Sequence, residues 1–168
     1  MNDYWLAKLI SSVDEVDSRK RLQKSIYLLQ LAGCPLKCEY ILHYYGPYSF
    51  ELAGLIDQLD NAGIIHEEPL GARYKVSITN TGRDVLSDFE KSSIGKTYSQ
   101  KIKSFVTLFQ ELSKESVWVL ELAATVAFFH DGDWEKAKKQ TAAFKNVRPD
   151  DGKLLKAEDL AKRFKKCA

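Results

Sequence analysis

The segment Val117-Trp118-Val119-Leu120-Glu121-Leu122-Ala123-Ala124-Thr125-Val126-Ala127-Phe128-Phe129 limits the fold more than any other part of the chain. Its apolar residues fall nearly all round a helix, and such a helix has no face to offer to water. The uncharged run from Leu122 to Phe129 is far below the ~20 apolar residues that a membrane-crossing helix needs. The pattern therefore predicts a central buried helix over 115–129, with the other segments packed around it. A chain of 168 residues is long enough to do this within one ordinary domain, without disulfides. No apolar leader follows the acidic N-terminus, Met1-Asn2-Asp3-Tyr4-Trp5, and three cysteines form no disulfide framework. Both features point to the cytoplasm.

Upstream, Tyr4 to Ile10 has helical spacing, and a second helix starts at Asp17 or Ser18 and runs to Leu31, where Gly33 and Pro35 stop it. Leu22, Ile26 and Leu29 form its apolar stripe, and its other face carries Arg19, Lys20, Arg21, Gln23 and Lys24. Four cations near a helix N-terminus oppose the dipole, so they need partners, and the acidic run Asp14-Glu15-Asp17 is the nearest supply. Glu39 to Tyr45 reads as a short strand ending in a Gly46-Pro47 turn. A third helix follows from Ser49 to Asn61, then a hairpin formed by 64–68 and 73–78, then a helix over 79–89. Ser92-Ser93-Ile94-Gly95 reads as a boundary, after which helices are expected near 97–112, 115–129, 133–144 and 156–166.

Helix, helix, short strand, helix and two-stranded wing is the order of a winged helix-turn-helix. The expected fold is thus mainly α, with a winged-helix-like region over 1–92 and a small hairpin wing. A helical extension over 93–168 packs against it, the two forming one folded unit.

Charge is divided unevenly along this chain. Residues 134–168 carry 11 Lys/Arg against 5 Asp/Glu, a net of +6, which leaves residues 1–133 at −4. A basic end of this kind either reaches a polyanion or folds onto its own acidic body. In a DNA-reading winged helix, the third helix would present Arg, Lys, Asn or Gln to base edges. Here its outward positions are Glu51, Gly54, Asp57, Gln58, Asp60 and Asn61, and three acids facing the phosphate backbone would repel it. The acids Glu51, Asp57 and Asp60 instead suggest a protein-binding face. Nucleic-acid binding is left with Arg73 and Lys75 on the wing, the cations of the second helix, and Lys162, Arg163, Lys165 and Lys166 on the tail.

No motif for catalysis, phosphate binding or a cofactor is present: His43, His66 and His130 sit in separate elements, with no nucleophile motif around them. Cys34, Cys38 and His43 offer zinc-type ligands, but no second ligand pair follows, and two packed thiols explain the cysteines better. Cys167 is isolated. Tyr40, Tyr44, Tyr45 and Tyr48 suit a packed corner better than a base-stacking platform.

Lys20 to Leu29, with Gln23-Lys24-x-x-Tyr27 at its centre, and the corner His43-Tyr44-Tyr45-Gly46-Pro47-Tyr48-Ser49 resemble the YwgA-like family of microbial proteins. Leu120 to Thr125 extends that resemblance, which covers most of residues 18–130. More distantly, the same helix and Tyr-Gly-Pro corner are similar to the Panacea group of SocA-like antitoxins. The resemblance implies a helical fold and, through the Panacea group, recognition of another protein; it supplies no catalytic residue. The function expected is a non-enzymatic protein-interaction or regulatory module, with a winged-helix nucleic-acid-binding regulator as the alternative.

Overall fold

Short polar residues at the segment boundaries set where most helices begin. Ser18, Ser49, Thr79, Ser92, Ser116 and Asp133 each accept a hydrogen bond from the backbone N–H three residues on, an N-cap that typically contributes about 1 kcal/mol. The computed structural model describes residues 1–166, with side chains as far as Lys165. The helices are α1 (Asn2–Val13), α2 (Arg19–Leu31), α3 (Phe50–Asn61), α4 (Asn80–Lys91), α5 (Ser93–Leu112), α6 (Val117–Phe129), α7 (Trp134–Lys145) and α8 (Gly152–Lys166). Among the described residues, no helix is long and apolar enough to cross a membrane.

Five short strands make two antiparallel sheets. β1 (Glu15–Val16), β4 (Ile65–Leu70) and β5 (Arg73–Ile78) form one, in the order β1-β5-β4. Val16 and Val76 pair across β1 and β5, and both are buried. The acidic run before α2 thus becomes a strand, which its charges concealed: Glu15 is exposed while Val16 alone faces the core. β2 (Ile41–His43) and β3 (Gly46–Tyr48) form the second sheet.

The sequence placed a turn at Gly46-Pro47, but the reversal occurs one step earlier. Tyr44 and Tyr45 make the turn, and Gly46-Pro47-Tyr48 is the returning strand. Gly46 makes this possible through its φ of +88° and its missing side chain, since a Cβ there would lie 2.5 Å from Thr125 Oγ1. β3 therefore lies directly on α6.

The expected central helix is central: every residue of α6 from Val119 to Ala127 is buried, including Glu121 and Thr125. α2, α7, α8 and β3 all pack on it. α2 departs from its expected two-sided form. Leu22 to Leu29 are all buried, so Gln23 and Lys24 lie inside instead of on a charged outer face. α2 is enclosed by α5, α6, α8 and strands of both sheets. One apolar core runs from Trp5 and Leu9 in α1 through Leu22 and Ile26 in α2 to Leu120 in α6 and Phe164 in α8.

The boundary expected at residues 92–95 is a corner instead of a loop. Ser92 accepts from Gly95 N at 3.0 Å, and this single residue separates the end of α4 from the start of α5. The basic tail also folds earlier than expected, because Asp151 Oδ1 accepts from the N–H groups of Lys153 and Leu154 and starts α8 at residue 152. Leu154, Ala157, Ala161 and Phe164 then dock on the body. Cys167 lies outside the described residues, as does the side chain of Lys166.

The α4–α5 corner depends on Gly95, where an added Cβ would sit 1.9 Å from the carbonyl oxygen of Phe89. Alanine is the better helix former by roughly 1 kcal/mol, yet overpacking against fixed backbone typically costs about 1–3 kcal/mol. Gly95→Ala is therefore expected to be net destabilising in urea unfolding, and an unchanged or raised midpoint would show that the corner is loosely packed.

Candidate functional site

α2, the β2–β3 hairpin and α6 meet at one place. Gln23 and Lys24 on α2 hold the β2–β3 hairpin from behind. The Gln23 amide donates to Ser49 O at 2.8 Å, and its carbonyl oxygen accepts from Ser49 N at 2.8 Å. The Lys24 ammonium donates to Pro47 O at 2.7 Å. The hairpin and the start of α3 are thereby fixed to the core by side-chain groups that match backbone donors and acceptors.

Around Lys24 lies a charged cluster. Glu121, on the buried α6, is 4% exposed, and its two oxygens take separate lysines: Oε1 accepts from Lys145 of α7, and Oε2 from Lys20 of α2 at 3.1 Å. Lys145 is itself buried, whereas Lys20 is 38% exposed. Among the described residues Lys24 forms no ion pair, so two ammonium groups share the carboxylate and a third lies near them without one of its own. Burial pushes the Lys24 ammonium down to about 8; Glu121 works against that shift, while Lys145 and Lys20 add to it.

A cleft of about 510 Å³ opens in front of this cluster. Its charged lining is Lys20, Glu121 and Lys145, and its walls are Tyr44, Tyr45, Trp118 and Phe144. Lys20 Nζ sits 4.4 Å from the centre of the Tyr45 ring, within cation–π range. Farther along the hairpin, Ile41, Tyr44, Tyr45 and Phe50 are 51%, 82%, 54% and 67% exposed. The corner is thus packed on its inner side only.

The charged residues singled out from the sequence lie on α3, on β5 and on α8. On α3, Glu51 accepts from Glu39 N at 2.7 Å, Asp57 pairs with Arg19, and Asp60 accepts from Glu67 N at 3.1 Å. Arg73 is exposed at the tip of the β4–β5 hairpin, while Lys75 pairs with Glu68 at 2.7 Å and Glu15 at 3.3 Å. In the tail, Lys162 pairs with Glu158 at 3.0 Å and Arg163 with Glu111 at 2.6 Å. Lys165 donates to the carbonyls of Ala127 and His130 at 2.9 and 2.8 Å, closing the C-terminal end of α6. The side chain of Lys166 lies outside the described residues.

The α2 cations find partners mostly far from the preceding acidic run. Arg21 does bind Asp17, at 2.9 Å, but Arg19 reaches Asp57 and Glu67 and Lys20 reaches Glu121. Asp14 and Glu15 serve Arg83 and Lys75 instead. Cys34 and Cys38 are buried free thiols; burial pushes Cys34 up to about 11 and raises Cys38 as well, so both are protonated at neutral pH. Among the described residues no group of three His, Cys, Asp or Glu side chains is placed to hold a metal ion. The histidines remain apart: His43 lies against Tyr48, His66 is on β4, and His130 stacks on Trp134 at 3.6 Å.

The cluster around Glu121 was missed in the sequence, although one signal was there. A lone acid in a helix that is otherwise apolar nearly all round has to find a cation or lose its charge. Lys145 comes from the following helix, and nothing in the sequence spacing points to it.

Lys24 has a measurable consequence. Its ammonium is pushed down in the folded state, so between about pH 8 and the ordinary lysine range near 10.5 the unfolded chain holds a proton that the native state has released. The Lys24 contribution to stability therefore grows as pH rises through that window and is flat below it. Lys24→Met removes this titration. The unfolding free energy of the parent minus that of the variant is expected to rise between pH 8 and 10.5, by on the order of 3 kcal/mol. A difference that stays constant across the window would mean that Lys24 is not desolvated.

No known protein-family model matches the chain. It is similar to the uncharacterised protein YwgA of Bacillus subtilis (strain 168), with 35% identity over 141 residues, which covers 80% of this chain and 78% of that protein.

Proposed function

We propose that this chain, which belongs to the YwgA family, is a non-enzymatic regulatory module that recognises another protein through its β2–β3 hairpin and the start of α3. One observation carries this reading: large apolar side chains stand exposed on a backbone that is rigidly held from behind. Ile41, Tyr44, Tyr45 and Phe50 are all more than half exposed, and Gln23 and Lys24 anchor the strand and cap beneath them. Exposed aromatic anchors that lose little entropy on binding are characteristic of interface hot spots. Tyr48 bridges the group, since it pairs with Ile41 across the hairpin and its ring lies 5.1 Å from that of Phe50.

The charge beside this patch describes the partner. Glu39 and Glu51 are exposed where α3 leaves the hairpin, while Asp57, farther along α3, is paired with Arg19. A partner that fits presents an apolar patch edged with Lys or Arg. An antitoxin-like role, in which binding silences the partner, is the form of this function that the distant Panacea resemblance suggests.

The N-terminal half supports a winged-helix-like reading of the fold. The order α1-β1-α2-β2-β3-α3-β4-β5, with β1 pairing to β5 beside β4, supports reading α3 as the recognition helix and β4–β5 as the wing, with the β2–β3 hairpin inserted between α2 and α3. The nucleic-acid alternative draws less support. Glu51 and Asp57 face outward from α3, and Lys75, Lys162 and Arg163 are already paired with acids of the same chain.

A photo-crosslinking amino acid at Tyr44 tests the reading in cells, with the same probe at Tyr74 on the wing as comparison. The Tyr44 probe is expected to give a defined protein adduct that Phe50→Asp removes, and the Tyr74 probe is not. With that partner purified, Tyr44→Ala and Phe50→Ala should each weaken binding at least about tenfold. The proposal fails if Tyr44 gives no protein adduct. It also fails in favour of the alternative if the Tyr74 probe captures nucleic acid and duplex binding falls steeply with salt.

A further inference from the structure

The cleft in front of Glu121 shares Tyr44 and Tyr45 with the apolar hairpin face, and its charged lining asks for a small molecule. Lys20 and Lys145 line it and Lys24 lies directly behind them, whereas Glu121 is the acid they share. At neutral pH three lysines around one carboxylate leave a surplus of positive charge in a region where three of those four side chains are almost fully buried. An excess charge away from water raises the free energy of the empty site and attracts an anion.

The donors to receive an anion are in place. An ammonium has three N–H donors, and the Lys20 ammonium, 38% exposed, gives one of its donors to Glu121 Oε2 at 3.1 Å. Lys145 gives one to Glu121 Oε1 and lies 3.5 Å from Tyr44 O. The remaining walls are aromatic: Tyr44, Tyr45, Trp118 and Phe144. Rings of this kind stack on a flat ligand ring, and the cleft, at about 510 Å³, falls in the usual size range for small-molecule sites.

From this the geometry points to a binding site for an organic anion that carries a flat ring, of the size and type of a mononucleotide, with its anionic group on Lys20 and Lys145 and its ring against the cleft aromatics. The inference goes beyond protein recognition and does not rest on it. Glu121 has a defined role here, because it holds the two lysines in position and also competes with the ligand for them.

That competition gives a test with two opposite signs. The full chain is titrated by calorimetry, with Trp fluorescence in parallel, against the four common nucleoside 5′-monophosphates, phenyl phosphate, adenosine and inorganic phosphate. At least one ring-bearing phosphate is expected to bind about tenfold or more tightly than inorganic phosphate or adenosine, and to change the emission. Lys20→Met, a change at the exposed lysine, should weaken that ligand at least about tenfold. Glu121→Gln, which keeps the shape and removes the competing charge, should tighten it. Circular dichroism and a thermal melt confirm that both variants are folded. The proposal is overturned if no ring-bearing phosphate saturates the protein at millimolar concentration, or if inorganic phosphate binds as tightly as the best of them. It is also overturned if Lys20→Met leaves the affinity unchanged or Glu121→Gln lowers it.

Discussion

A carboxylate buried in the middle of an apolar helix is the constraint on which the rest of this structure turns. Glu121 loses its hydration in the core, a cost of several kcal/mol for an ion even after relaxation. It is retained because Lys20 and Lys145 each take one of its oxygens. The two lysines come from α2 and α7, on different sides of α6, so the carboxylate also fixes how those helices sit on the central one. Removing Glu121 would leave the buried Lys145 without its carboxylate, which costs more than the pair contributes. Thr125, one turn on, donates back to Glu121 O at 2.7 Å and fills the space that Gly46 leaves open. Hairpin placement and charge burial are thus two results of one helix surface.

The basic tail obeys the same electrostatic logic. With residues 134–168 at +6 and the rest at −4, attraction between tail and body assists docking. The final contacts are local and specific: Arg163 on Glu111, Lys156 on Glu115, and Lys165 on the open carbonyls at the end of α6. The exposed pairs among these contribute little each. The docking free energy comes chiefly from Leu154, Ala157, Ala161 and Phe164, which are almost completely buried. Tail charge chooses where α8 lands, and apolar burial holds it there.

Sequence periodicity revealed what depends on local pattern and missed what depends on distant contacts. α6 was legible because an apolar surface all round admits one environment. The caps at Ser18 and Ser49 were legible because a short polar residue before an apolar period has a local cause, whereas α4 is capped by Thr79 and not by Asn80 or Thr81 as its spacing suggests. β1 was hidden because a two-residue strand carries almost no alternation and owes its existence to Val76 across the sheet. The buried side of α2 was hidden for a related reason: Gln23 and Lys24 look like surface residues until the backbone of Pro47 and Ser49 is placed against them. Of the candidate site, the motif residues Gln23, Lys24 and Tyr45-Gly46-Pro47 were visible in the sequence, but only as a resemblance. Lys145 was not visible, because it joins the cluster across 24 residues of chain that include a helix turn-around.

Stability alone does not account for such a cluster. Replacing a buried ion pair by apolar residues of similar volume is often neutral or stabilising, and α6 already supplies an apolar surface on which Leu or Met would pack at positions 121 and 145. An apolar version would hold the helices together equally well, but it would accept several registers of α2 and α7 against α6. The carboxylate accepts one, because each oxygen must meet its own ammonium. Beside that contact Lys24 holds the hairpin through Pro47 O, and Lys20 and Lys145 are left lining an open cleft. What the cluster contributes beyond folding is position: on adjoining parts of one surface stand an exposed aromatic strand, held through Gln23 and Lys24, and a cleft whose two lysines are held by Glu121.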